Sequence, residues 1–213
     1  MNELFYLFVI GISINTVLFL YDIRIKNYKR IYSYLLFGSL GGLLDLIVEC
    51  AGTYNEFWTY NESIFFLFEL VPIELPALFF SAVVIGKFLQ STVVQKNNKI
   101  NTNLLFSLFS ILGFMLYLYA NIFLKVDDTL IVFTLPIGLW GFQTFKNESQ
   151  KNSLLLIALF VAIIDFYIET WIISSGNYNY SAGLKLITPV NYFLLTLAMF
   201  GLMQAVDLRN KNH

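Results

Sequence analysis

The chain reads as an all-α integral membrane protein, a seven-transmembrane-helix bundle built from two parallel three-helix repeats joined by a linking helix. Two observations carry this expectation. Of 213 residues, 58% are apolar and only 13% charged, and the apolar residues come in blocks close to the ~20 residues that cross a hydrocarbon core about 30 Å thick. A set of acids, aromatics and prolines then occurs twice, in the same order, in the two halves of the chain.

The blocks fall at 3–22, 31–51, 63–89, 104–124, 129–145, 153–174 and 185–207. Each is too long and too continuously apolar for the alternating strands, about 10 residues long, of a membrane barrel. The first block lacks a basic leader and a small-residue cleavage site, so it is expected to be a retained helix. Within the single membrane domain, 1–89 forms the first repeat, 104–124 the linking helix and 129–207 the second repeat.

Cationic residues set the orientation, because Lys and Arg near helix ends stay on the cytoplasmic side. Seven crossings gather Arg24, Lys26, Lys29, Arg30, Lys87, Lys96, Lys99, Lys146, Lys151, Arg209 and Lys211 on one face and leave Lys125 and Lys185 on the other. The N-terminus is therefore expected outside and the C-terminus in the cytoplasm, in a prokaryotic cytoplasmic membrane.

Several chemistries lack their residues. Cys50 is the sole cysteine and His213 the sole histidine, so neither a disulfide nor a Cys- or His-based metal site is expected. A retinal Schiff base needs a lysine deep in the last helix, and Lys185 lies at its start. Gly38, Gly41 and Gly42 do not form a dinucleotide-binding turn; they are expected to let helices approach closely. No cofactor, metal or nucleic acid is expected.

Acids remain in the wrong solvent. Asp45, Glu49, Glu74, Asp165 and Glu169 lie inside apolar blocks, with Glu69 nearer an end, and each costs roughly 2.5–3.5 kcal/mol at mid-membrane on the insertion scale. Asp45 and Glu49 share one helix face at a spacing of four, and Asp165 and Glu169 repeat that spacing 120 residues later. Each pair is followed by an aromatic-x-Tyr motif, Trp58 and Tyr60 in the first copy, Tyr178 and Tyr180 in the second, and then by Pro72 with Glu74 or Pro189 with Asn191. Pro72 and Pro76 are expected to kink the third helix beside Glu74. Parallel repeats commonly bind ligands where the halves meet.

D-x-x-x-E, an aromatic-rich turn and a P-x-E motif, repeated in a seven-helix chain of this length with Asn191 at the position of the second Glu, resemble the fused lycopene cyclase domain proteins of carotenoid biosynthesis. The resemblance implies a cofactor-independent isoprenoid or carotenoid cyclase, in which ring closure starts by protonating a double bond and ends with loss of a proton. It places Glu74 at the centre of proton transfer with Glu49 and Asp45 as partners. Asp165 and Glu169 follow as a second carboxylate pair, and Asn191 orients substrate. Low dielectric favours the protonated carboxyl, and a hydrogen-bonded neighbour eases its release. Trp58, Tyr60, Trp171 and Tyr178 would line a cation-tolerant wall, with Glu69 at its mouth. A hydrophobic isoprenoid or carotenoid substrate and membrane lipid are the partners this implies.

Two other readings stand beside it. Buried acids in a parallel repeat also suit a proton- or cation-coupled transporter, although the cytoplasmic ends of the first, fourth and seventh blocks are mostly apolar. A sterol-isomerase-like lipid-binding protein would use the same acids and aromatics to hold an amphiphile.

Overall fold

The computed structural model describes residues 3–93, 104–125, 130–180 and 187–209. Lys96, Lys99, Lys185, Lys211 and His213 lie outside the described residues. Seven helices are described: α1 (Glu3–Arg24), α2 (Tyr28–Tyr54), α3 (Glu74–Val93), α4 (Leu104–Leu124), α5 (Leu130–Gln143), α6 (Glu148–Ser174) and α7 (Ile187–Arg209). Short strands β1 (Trp58–Tyr60), β2 (Phe66–Leu67), β3 (Val71–Pro72) and β4 (Tyr178–Tyr180) join them. Five of the helices, α1, α2, α3, α6 and α7, are long and apolar enough to cross a membrane. The seven-helix expectation holds in count and order, while α5, at 14 residues, rises only about 21 Å.

The expected third block fails at its start. Residues 63–73 are not helical: β2 and β3 pair antiparallel, with Phe66 opposite Pro72 and Leu67 opposite Val71. Helix α3 opens only at Glu74. Pro72 therefore sits in a strand, and Pro76 falls in the first helical turn, where its missing N–H leaves no helical hydrogen bond unmade. Neither proline lies in a helix interior, so the cause expected for a kink beside Glu74 is missing.

The chain divides into two compact units, one of residues 1–89 with 171–183 and one of residues 90–170 with 184–213. In the first, glycines set how closely the helices pack. A Cβ on Gly11 of α1 would stand 2.9 Å from Ser81 Oγ of α3, and a Cβ on Gly42 of α2 would stand 2.7 Å from the Pro76 carbonyl oxygen. A Cβ on Gly38 would meet the Phe80 ring at 2.6 Å, and one on Gly41 would meet Val83 at the same distance. Such contacts exclude any larger side chain, so the expected close packing by Gly38, Gly41 and Gly42 is present.

The turn from α1 to α2 holds a buried ion pair. Arg30 Nε donates to both oxygens of Asp22 at 2.9 and 2.8 Å, and the Asp22 side chain is fully buried. The guanidinium lies 5.1 Å from the Phe88 ring centroid and 5.8 Å from that of Tyr21, where ring faces attract a cation. Asn27 caps α2 by accepting from the Arg30 N–H at 3.3 Å. Two cations assigned to the cytoplasmic face thus have structural surroundings of their own. Arg30 is paired, and Lys87 is buried on α3 with its ammonium 5.4 Å from the Phe37 ring centroid.

In the second unit α5 and α7 meet backbone to backbone. A Cβ on Gly141 would stand 2.1 Å from the Leu197 carbonyl oxygen, one on Gly138 would stand 2.9 Å from that of Leu194, and Gly201 faces Gly141. Phe145, Leu154, Ala158, Leu197 and Phe200 form the buried apolar cluster beside this contact.

Candidate functional site

Helices α1, α2 and α3 enclose an open cavity of about 580 Å³ within the first unit. Ile12, Phe19 and Leu20 of α1, Gly38 and Gly42 of α2, and Ile73, Pro76, Ala77 and Phe80 at the head of α3 make it mainly apolar. Its polar lining comes from Asn15, Thr16, Ser39 and Ser81, and no acid lines it among the described residues. Gly38 and Gly42 contribute backbone to the lining, and the space a side chain would take at either is filled by Phe80 or the Pro76 carbonyl of α3.

Of the two buried polar residues lining this cavity, Ser81 and Asn15, the asparagine is 8% exposed. Its Nδ2 donates to Ser81 Oγ at 2.9 Å, and Ser81 in turn donates to the Ala77 carbonyl at 2.8 Å. That chain fixes the amide orientation and leaves Asn15 Oδ1 without a hydrogen-bond donor among the described residues. A buried acceptor without a donor costs about 1–3 kcal/mol. A ligand hydroxyl in the cavity would supply the missing proton.

Two of the acids expected to form the site, Glu49 and Glu74, hold loops. Trp58 Nε1 donates to Glu49 Oε2 at 2.7 Å, and the Tyr60 hydroxyl donates to the same oxygen at 2.6 Å. Tyr60 stacks on Tyr178 with centroids 4.8 Å apart, so four expected site residues, Glu49, Trp58, Tyr60 and Tyr178, do converge. The contact fixes a ribbon in which β1 and β4 pair antiparallel, Trp58 opposite Tyr180, Thr59 opposite Asn179 and Tyr60 opposite Tyr178. A Cβ on Gly52 would stand 2.0 Å from the Trp58 ring, so the small residue one turn after Glu49 makes room for the indole.

Glu74 is fully buried at the first turn of α3, where a carboxylate suits the helix dipole. Its Oε2 accepts from Ser63 Oγ at 2.6 Å and its Oε1 from the Ile64 N–H at 2.8 Å. Glu74 and Glu49 therefore have different partners. Asp45 is buried on α2, Asp165 and Glu169 are half-buried on α6 in the second unit, and Trp171 is 47% exposed. Asn191 is buried on α7 and accepts from the Thr134 hydroxyl of α5 at 2.8 Å. The sequence repeat set Asn191 against Glu74, yet Glu74 opens its helix while Asn191 lies one turn inside its own. Glu69 is exposed at the β2–β3 turn.

Asn15, Ser39 and Ser81 were not legible as site residues in the sequence. Single small polar residues in apolar blocks carry little weight beside acids, and the spacing of Asn15 and Ser81, 66 residues apart, has no local signature.

No family model matches the chain, and no curated protein matches it either. Its fold is similar to the crystal structure of MvINS, a mycobacterial Insig homolog from Mycobacterium vanbaalenii, with a TM-score of 0.60 at 13% identity over 84% of this chain and 96% of that one. A cross-linked trimer of an MvINS variant gives a TM-score of 0.62 at 12% identity over the same shares. The protein is thus an integral membrane protein with an Insig-like all-α fold of seven helices. This likeness overturns the resemblance to lycopene cyclases, and the carotenoid and cyclase assignments fall with it. The first copy of the motifs that carried that resemblance has a local explanation, because Glu49 binds the aromatic-x-Tyr strand and Glu74 binds the base of the hairpin before α3.

Proposed function

We propose that the protein binds a neutral lipid bearing a hydroxyl group in the α1–α3 cavity. Asn15 carries the proposal: an acceptor without a donor, in a mainly apolar space of about 580 Å³, within the size range of small-molecule sites. A hydroxyl donated to Oδ1 would fix one end of the ligand, and the apolar helix faces would cover the rest. Sterols and other single-hydroxyl lipids have this chemistry. The Insig-like fold supports the membrane setting. The acids stand outside the cavity lining, so the activity proposed is binding rather than conversion.

The orientation adopted has the N-terminus outside and the C-terminus cytoplasmic, on the strength of the Lys and Arg distribution. A parallel repeat is supported by the β1–β4 ribbon. Thr59 and Asn179, 120 residues apart, pair with each other, while Trp58 and Tyr60 pair crosswise with Tyr180 and Tyr178. Residues equivalent in the repeat are thereby related by a local two-fold through that central pair.

Lipid extraction of the protein purified from its membrane, followed by mass spectrometry, tests the binding. A neutral hydroxylated lipid near one per protein, lost in Asn15→Leu, is the expected result. Retention of anionic phospholipid alone, unchanged in Asn15→Leu, would overturn it.

A further inference from the structure

The segment between α2 and α3 combines exposed apolar side chains with a closed backbone. Ile64 and Phe65 are each 59% exposed and Phe68 is 73% exposed. Phe68 and Glu69 form its tip at φ 55 and 62, left-handed values that suit the twist of a tight hairpin but strain side chains other than glycine. The Leu70 N–H closes the turn on the Leu67 carbonyl at 3.0 Å, and the Ile73 N–H bonds the Phe65 carbonyl at 3.0 Å. At the base, the Phe65 N–H bonds Ser63 Oγ at 3.1 Å and the Ile64 N–H bonds Glu74 Oε1 at 2.8 Å.

A loop in water has no need of this arrangement, since water satisfies its donors and penalises bare phenyl rings. Where water is scarce both features become necessary, because unpaired backbone is costly and apolar side chains are welcome. The place in the fold agrees: the hairpin lies in the connection between two helices of membrane-crossing length and leads directly into the second of them. Its charged residue, Glu69 at the tip, is exposed and can reach headgroups while the rings turn toward acyl chains.

We propose that the 64–72 hairpin docks into the interfacial layer of the bilayer, with Phe65 and Phe68 inserted among the lipids of the leaflet that the α2–α3 connection faces. Glu74 is its positioning residue, holding the base of the hairpin to α3.

The full chain with Cys50→Ser and Phe68→Cys, labelled with the environment-sensitive dye NBD and reconstituted in phosphatidylcholine vesicles, tests this. A second label at Phe65→Cys guards against local disturbance of the strained tip, and Glu148→Cys at the exposed start of α6 gives an aqueous reference. Phosphatidylcholine brominated near the top of the acyl chain should quench both hairpin labels at least twofold more than the reference, and aqueous iodide should quench them at least twofold less. Quenching by iodide equal to the reference would overturn the proposal. So would labels shielded from both quenchers, which would mean a protein surface covers the hairpin.

Discussion

Asn15 and Ser81 join α1 to α3 through one hydrogen bond of 2.9 Å, and Ser81 passes its own proton to the Ala77 carbonyl. The serine thus takes one N–H of the asparagine amide and leaves its acceptor for a ligand. Asn15→Ala should weaken binding of a hydroxylated neutral lipid about 10-fold, or about 1.4 kcal/mol, in a competition assay in detergent or nanodiscs. Affinity for the matching hydrocarbon without a hydroxyl should stay the same.

The pair of donors on Glu49 gives a stability prediction. Trp58→Phe removes the 2.7 Å bond to Oε2 and should cost about 1–3 kcal/mol in denaturant unfolding. Trp171→Phe, at a side chain 47% exposed, should stay within about 0.5 kcal/mol of the parent.

Asp22 is fully buried against Arg30, so Arg30→Met strands a carboxylate and should destabilise by about 3–5 kcal/mol. Adding Asp22→Asn should recover most of that loss, because the charge is then gone. Equal stability of the single and double variants in thermal unfolding would show that the pair carries no such coupling.

Two glycines should fail for different reasons. Gly141→Ala puts a Cβ 2.1 Å from the Leu197 backbone and should separate α5 from α7, at a cost of more than about 2 kcal/mol, within the range for overpacked cores. Gly176 has open space around it but φ +80, so Gly176→Ala should cost only about 1 kcal/mol, through backbone strain alone. The difference is measured by unfolding both variants under one condition.

Helix number and order were legible because continuous apolar blocks are the strongest signal a membrane chain carries. The tight approach of α2 to α3 was legible in Gly38, Gly41 and Gly42 for a similar reason, since only small residues fit there. The hairpin before α3 was not. Its residues are as apolar as a helix, and only the pairing of Phe66 with Pro72 distinguishes it. The acids drew attention by their insertion cost, and for two of them that cost is met by local donors, Trp58 and Tyr60 for Glu49 and Ser63 with the Ile64 backbone for Glu74. Asn15 was silent because an orphaned acceptor exists only once the fold has decided which neighbours it lacks.

Binding at Asn15 is tested most directly by photolabelling in the membrane with a light-activated analogue of a single-hydroxyl lipid, followed by peptide mass spectrometry. The adducts should fall on residues 12–20, 38–42 and 73–81, which line the cavity. They should be competed by the unlabelled hydroxylated lipid and fall at least fivefold in Asn15→Leu. Adducts confined to other segments, or cavity labelling that Asn15→Leu leaves unchanged, would contradict it.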